Sequence, residues 1–236
     1  MIHENPKIVA LIPALNEENT IGYVVRETMK YVDHVVVIDD LSDDNTANNA
    51  KKAGAQVISL KRRRRLGGVI RTGTEYMKKL DPDIMVMLDS DGQHEPSDIP
   101  RLLKPILEGK SHCVIGSRFL YSTLEVSSKA KNIGRKLFSR ISSFLAGQVI
   151  TDAMSGFRAL TRESLQNLHL KFDYGYAPEM NVILCHEGYR VNEISIFDKP
   201  RKYGSTKVVN NKFTYVLKQL GILSFTFIKF KLFFND

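Results

Sequence analysis

The feature that most constrains this chain is an alternation in its first 120 residues between short apolar runs and stretches of helical period. The segments "KIVALIPAL" (7–15), "HVVVID" (34–39), "QVISL" (56–60), "DIMVMLD" (83–89) and "CVIGSRF" (113–119) read as strands. Residues 20–32, 45–55, 69–80 and 97–109 read as the helices between them, with a break expected at Pro105. Strands that alternate with helices pair in parallel through crossovers, so the pattern predicts a doubly wound α/β sheet. Ligands of such sheets gather at the carboxyl ends of the strands.

Four polar clusters fall at those ends: "PALNEE" after the first strand, "IDD" after the second, "DSDGQH" after the fourth and "GSRF" after the fifth. Asp89 and Asp91, one residue apart, have two readings. Asp and Gly are ordinary turn formers, but a pair of carboxylates also suits a hard divalent cation that shares its coordination with substrate phosphates. The concentration of acidic clusters at the strand ends favours a binding cleft.

The second half is less regular. Residues 129–147 carry Ile133, Leu137, Ile141 and Leu145 on one helical stripe, with Lys131, Arg135, Lys136 and Arg140 elsewhere. Residues 151–165 read as a polar loop running into a helix, and 174–196 as a helix, a stop at Gly188 and a strand. The tail 213–236 is the most apolar part. Only ten uncharged residues separate Lys218 from Lys229, short of the roughly 20 needed to span a bilayer. A buried terminal helix and a helix lying in a membrane surface both fit it.

Charge is distributed unevenly. Residues 1–120 hold 17 Lys/Arg and 17 Asp/Glu, whereas 121–236 hold 17 and 9, so the whole excess of +8 lies in the second half. An anionic partner is expected there: nucleic acid, a membrane surface or a phosphorylated substrate. Cys113 and Cys185 show no metal-ligand spacing and no disulfide framework, which fits a reducing cytosol. The first residues show no secretion signal. The expected location is the cytoplasmic face of a membrane, held peripherally.

In their order, "IPALNEE" (12–18), "VVVIDDLSDDNT" (35–46), "LGGVIRTG" (66–73), "LDSDGQHEPSDIP" (88–100), "GSRF" (116–119), "DAMSGFRAL" (152–160) and "RKYGSTKV" (201–208) resemble the motifs of the family-2 inverting glycosyltransferases. The resemblance is to the branch of dolichyl-phosphate or polyprenyl-phosphate mannose and glucose synthases. It implies a GT-A fold: a Rossmann-like, mostly parallel sheet flanked by helices, with C-terminal amphipathic or interfacial helices. The expected division is a catalytic domain over 1–208 and an apolar tail over 209–236 that contacts membrane or another protomer.

The resemblance also implies roles. Pro13, Leu15 and Glu17, with Asp39 and Asp40, would hold the nucleotide base and ribose, and Asp89, Ser90 and Gln93 would complete the donor site. Asp91, with Asp89 and Gln93 beside it, would ligate Mg²⁺ or Mn²⁺ on the diphosphate. Arg201 and Lys207 belong to a late loop that closes on the diphosphate. Arg118 and Arg135 would grip the acceptor phosphate, with Arg118, Asp91 and Asp152 as the catalytic set. Three positions depart from the family pattern: Leu41 stands for a glycine, "KRRRR" (61–65) for a segment that often holds asparagine, and Thr206 for a serine.

Several roles stay open at this level. Asp152 could orient Arg158, touch the sugar or cap the next helix. His94 could ligate the metal, touch the donor phosphate or serve structure alone. The Arg62–Arg65 run could be solvated, or could meet the diphosphate or anionic lipid head groups.

The leading reading is transfer of a hexose from GDP-mannose, UDP-glucose or UDP-N-acetylglucosamine to dolichyl or polyprenyl phosphate. A glycan or other hydroxyl acceptor is the alternative, and would require a base that only Asp152 offers. A sugar nucleotidyltransferase is remote, because "PALNEE" lacks the glycine-rich phosphate loop expected after its first strand. A nucleic-acid-binding module leaves "DSDGQH" without a purpose.

Overall fold

The computed structural model describes residues 5–120, 129–204, 218 and 221–228, with the side chains of 129–136 excepted. Among the described residues seven strands form one sheet: β1 (Ile8–Ala14), β2 (His34–Asp39), β3 (Gln56–Ser59), β4 (Ile84–Met87), β5 (Cys113–Ser117), β6 (Arg158–Thr161) and β7 (Val191–Ser195). Their spatial order is β3-β2-β1-β4-β6-β5-β7. All neighbours run parallel except β6, which is antiparallel to both β4 and β5.

Between the strands lie α1 (Ile21–Thr28), α2 (Thr46–Lys52), α3 (Arg65–Leu80), α4 (Ile99–Leu107), α5 (Lys129–Ala146), α6 (Arg162–Gln166) and α7 (Tyr176–His186). Strand side chains alternate between faces, and the core divides accordingly. Val9, Leu11, Val36, Ile38, Met85 and Met87 pack with Val69, Ile70 and Met77 of α3 and with Met180 and Leu184 of α7. Ala10, Ile12, Val35, Val37, Ile84 and Val86 pack with Val24 and Val25 of α1 and with Leu102 and Ile106 of α4.

The glycines of "LGGVIRTG" permit two close approaches. A Cβ on Gly73 would lie 2.6 Å from Leu11 Cδ1, so α3 seats directly on β1. A Cβ on Gly67 would lie 2.4 Å from the Asp173 backbone, and the Gly67 N–H donates to the Asp173 carbonyl at 3.0 Å.

Three expectations are corrected. The polar stretch before Thr161 leads into strand β6 rather than a helix, and only the five-residue α6 follows it. Helix α4 continues through Pro105 to Leu107. The face of α5 turned to the core carries Phe138, Ser142 and Ala146, whereas Leu137 of the expected stripe is 57% exposed. Phe138 and Ala146 join the α7 side of the core, and this sets the rotation of α5.

Candidate active site

The carboxyl ends of the parallel strands meet on one edge, and β6 adds to it by running the other way. Arg158, its first residue, pairs with Met87 at the end of β4 and with Ile115 in the middle of β5. The preceding loop, with Asp152 and Gly156, therefore lies on the same edge as Asp89 and Arg118. Gly156 leaves room there: a Cβ on it would stand 3.0 Å from Asp89 Oδ1 and 2.8 Å from the Tyr176 hydroxyl.

At the ends of β1 and β2 the polar groups are buried and satisfied. Pro13 pairs with Ile38 in the last part of β1, and Leu15 follows the strand. The Glu17 N–H donates to Thr46 Oγ1 at 2.7 Å, and the Glu17 carbonyl accepts the Ile21 N–H at 2.9 Å. Asp39 accepts from Ser42, and Asp40 Oδ1 accepts the Arg64 N–H at 2.7 Å. Burial pushes the Asp40 carboxyl above its ordinary value, against the pull of that Arg64 N–H. Leu41, where the family pattern has glycine, sits at φ +59°, the left-handed conformation that glycine adopts without cost. The arginine run is partly built in: beyond the Arg64 bond, Arg65 opens α3 and lies over the Tyr174 ring at 4.5 Å.

The Asp89–Gln93 loop turns at Gly92, φ +74°. Ser90 is buried, and its carbonyl accepts from Thr20 Oγ1 at 2.8 Å. Asp91 Oδ1 accepts the Gln93 N–H at 3.1 Å. Asp91 Oδ2 pairs with Arg201 Nη1 at 3.0 Å, while Arg201 Nη2 bonds Glu17. Burial, and then the neighbouring charge of Asp89, push the Asp91 carboxyl above its ordinary value.

His94 is buried and stacked on Phe157, with ring centroids 5.2 Å apart. Its Nδ1 accepts the Asp89 N–H at 3.3 Å, which makes it a holder of the loop backbone. Its Nε2 lies 3.6 Å from Asp198 Oδ1.

The cation beside this loop is Arg118. Its Nε and Nη2 donate to the two oxygens of Asp152 at 2.6 and 2.9 Å, and its Nη1 donates to Asp198 Oδ2 at 3.1 Å. Asp152 is in turn held by Glu193 of β7, which accepts the Thr151 and Asp152 N–H groups at 2.8 and 3.0 Å. Its carboxylate thus orients Arg118 rather than Arg158. The latter is fully buried on Asn181 Oδ1 (2.7 Å) and on the carbonyls of Ser155 (2.8 Å) and Ala153 (3.3 Å).

Among the expected site residues, Glu17, Asp89, Ser90, Asp91, Gln93, Arg118, Asp152 and Arg201 meet on or beside this edge. The Arg135 side chain and Lys207 lie outside the described residues. Asp198 and Glu193 were not singled out in the sequence. The one signal for Asp198 was an acid standing before the basic "KPRK".

A divalent cation fits this chemistry. Asp91 already carries a cationic partner, the Arg201 guanidinium, on an oxygen largely removed from water. Among the described residues no three His, Cys, Asp or Glu side chains close into a cage. A cation shared with phosphate oxygens and water needs few protein ligands.

Residues 9–168 match the profile of "Glycosyl transferase family 2". The chain belongs to this family. It is 32% identical over 183 residues to the UDP-N-acetylglucosamine–dolichyl-phosphate N-acetylglucosaminyltransferase of Methanococcus voltae, covering 68% of this chain and 72% of the relative. It is 28% identical over 218 residues to the undecaprenyl-phosphate mannosyltransferase of Micrococcus luteus, covering 86% and 87%. Glucosyl-3-phosphoglycerate synthase from Mycobacterium tuberculosis, solved with Mn²⁺, UDP and phosphoglyceric acid, superposes with a TM-score of 0.71 at 20% identity, over 94% of this chain and 79% of that one. This family-2 chain is a glycosyltransferase with the GT-A fold.

Proposed function

We propose that the chain is a metal-dependent, inverting hexosyltransferase that transfers from a nucleotide sugar to a dolichyl or polyprenyl phosphate. The observation that carries this reading is the pairing of two opposite subsites on one sheet edge. The carboxylates of Asp91 and Glu17, bridged by Arg201, make one, and the Arg118 guanidinium, held by Asp152 and Asp198, makes the other. A divalent cation with a diphosphate suits the first, and a phosphate monoester the second.

In this reading Asp91, with Asp89 and Gln93, would hold a divalent cation, which would supply Lewis-acid neutralisation of the diphosphate leaving group. Glu17, Asp39 and Asp40 line the nucleotide side, with Pro13, Leu15 and Ser90 shaping it. Arg201 and Lys207 bind the diphosphate. Arg118, oriented by Asp152, holds the acceptor phosphate together with Arg135. A phosphate monoester has its second pKa at about 6, so it is mostly dianionic at neutral pH and is itself the nucleophile. Its oxygen bonds to the anomeric carbon as the bond from that carbon to the diphosphate breaks, and the configuration inverts. No general base is needed. A hydroxyl acceptor would need one, and both oxygens of Asp152 are committed to Arg118.

The relatives named above differ in their sugars, so the donor is sought among GDP-mannose, UDP-glucose and UDP-N-acetylglucosamine. Attachment to a membrane surface is part of the proposal. It is supported by the outer face of α5, where Phe144 is 81% exposed, and by Val149, 80% exposed just beyond it. Among the described residues no helix is long and apolar enough to cross a membrane.

The test is a donor panel. Purified protein is incubated with Mg²⁺ or Mn²⁺, a short-chain polyprenyl phosphate and each radiolabelled nucleotide sugar, and the lipid phase is extracted. Label in the lipid from one donor is the expected result. Metal-dependent nucleotide binding without lipid label from any donor would overturn the acceptor assignment.

A further inference from the structure

The segment that leaves β7 crosses the candidate site, and Asp198, Lys199 and Arg201 each meet an opposite charge on the way. The Ile196 N–H donates to the Ser117 carbonyl at 2.9 Å, which starts the crossing beside Arg118. Asp198 then pairs with Arg118. Lys199 exchanges two hydrogen bonds with Gln93: its N–H donates to the Gln93 carbonyl at 2.9 Å, and its own carbonyl accepts from Gln93 Nε2 at 3.1 Å. Its ammonium bonds Glu95. Arg201 ends the crossing on Asp91 and Glu17, with its Nε donating to the Tyr203 carbonyl at 2.7 Å.

We propose that the strap Asp198–Arg201 is a built-in surrogate for both ligands: Arg201 takes the place of the divalent cation on Asp91, and Asp198 takes the place of the acceptor phosphate on Arg118. The inference rests on the site reading of the preceding subsection and adds to it the order of events. The groups assigned to the metal and to the acceptor phosphate are the ones that the strap engages. Asp91 holds a guanidinium, the Gln93 amide holds a backbone carbonyl, and Arg118 lies between two carboxylates, Asp152 and Asp198.

The chemistry of each substitute matches what it stands for. A guanidinium bridging two carboxylates is a cation in a cation site, and a carboxylate on an arginine mimics one edge of a phosphate. The closed strap also carries a flaw that favours exchange. Asp198 Oδ1 is buried without a hydrogen-bond partner, the His94 Nε2 that faces it being 3.6 Å away. An acceptor phosphate that displaces Asp198 returns that oxygen to water. A metal that displaces Arg201 frees its guanidinium, and the incoming diphosphate is the natural new partner. The strap then holds the donor through the residue that had excluded the metal.

This predicts opposite effects from one substitution. Mn²⁺ binding is measured by the loss of the free Mn²⁺ electron paramagnetic resonance signal, for the wild type, Arg201→Gln and Asp91→Asn, with and without UDP or GDP. Arg201→Gln should bind Mn²⁺ about tenfold more tightly without nucleotide, and should bind nucleotide more weakly with Mn²⁺ present. Asp91→Asn should lose Mn²⁺ binding under both conditions.

For the other half, Asp198→Asn should bind a water-soluble short-chain isoprenyl phosphate several-fold more tightly by calorimetry. Unchanged or weaker Mn²⁺ binding by Arg201→Gln, with Asp91→Asn still deficient, would overturn the surrogate role of Arg201 and leave the site reading standing. Unchanged isoprenyl phosphate binding by Asp198→Asn would overturn the role of Asp198. Normal Mn²⁺ binding by Asp91→Asn would overturn the site reading and this inference with it. Arg201→Lys, which keeps the charge but not the fork that spans two carboxylates, should fall between wild type and Arg201→Gln.

Discussion

Arg118 grips Asp152 with two parallel hydrogen bonds, Nε to Oδ2 at 2.6 Å and Nη2 to Oδ1 at 2.9 Å. The carboxylate is nearly inaccessible and the guanidinium mostly so. A buried pair of this kind does little for net stability, because desolvation offsets attraction, but breaking it leaves a charge without its partner. Burial pulls the Arg118 proton affinity down, but the carboxylates of Asp152 and Asp198 together more than offset it, so the arginine stays charged at every accessible pH.

Asp152→Asn should therefore cost stability as well as activity. Loss of one partner from a buried pair costs about 3–5 kcal/mol, and the lower end applies because Asp198 still faces Arg118. Urea unfolding of the variant, compared with wild type, reads this directly. An unchanged midpoint would contradict the burial of the pair.

Asp91 should show a conflict between stability and function. Its carboxyl is raised by burial and by Asp89, so ionisation is less favourable in the folded chain than in the unfolded one. The stability forgone grows as pH rises from the ordinary carboxylate range through the raised folded value. The charge of Arg201 offsets only part of this, and Arg201 keeps Glu17 as a partner when Asp91 is neutralised. At pH 7.5 Asp91→Asn should melt at or above the wild-type temperature by calorimetry, while metal-dependent lipid labelling falls to background.

Glu179 provides a pH signature away from the transfer chemistry. It lies in the first turn of α7 and accepts the Lys171 and Phe172 N–H groups at 2.7 and 3.4 Å. Burial pushes its carboxyl up to about 7, against those two N–H groups and the charges of Arg71 and Lys171. The folded chain then binds the proton more tightly than the unfolded chain, so this contribution is full below the unfolded value of about 4.5 and lost as pH rises through about 7. The change is of the order of 3 kcal/mol. Glu179→Gln should flatten the dependence of urea stability on pH across that window and be more stable than wild type above it.

Leu41 offers a gain. At φ +59° a side chain costs about 1–2 kcal/mol, and glycine in its place returns about 0.5–1 kcal/mol through the added freedom of the unfolded chain. Leu41 is 45% exposed, so little apolar burial is lost. Leu41→Gly should raise stability by about 0.5–1 kcal/mol in urea, with the Asp39–Ser42 turn unchanged.

The sequence by itself determined the parallel strands β1 to β5, because each is a local apolar run and stretches of helical period alternate with them along the chain. It also determined the polar clusters at their carboxyl ends, and so Asp39, Asp40, Asp89, Asp91 and Arg118 on one edge. Tertiary structure decided what those groups face. Strand β6 is short, and its reversal follows from pairing with β4 and β5, elements distant along the chain; that reversal returns the Asp152 loop to the edge of Arg118, where Glu193 of β7 holds it. The face that α5 turns inward was chosen by the core around α7, not by its own apolar period. Arg201 reaches Glu17 across 184 positions, and Asp198 reaches Arg118 across 80. Ion pairs leave no periodicity in a sequence, because a charge is recognised only by what folding sets beside it.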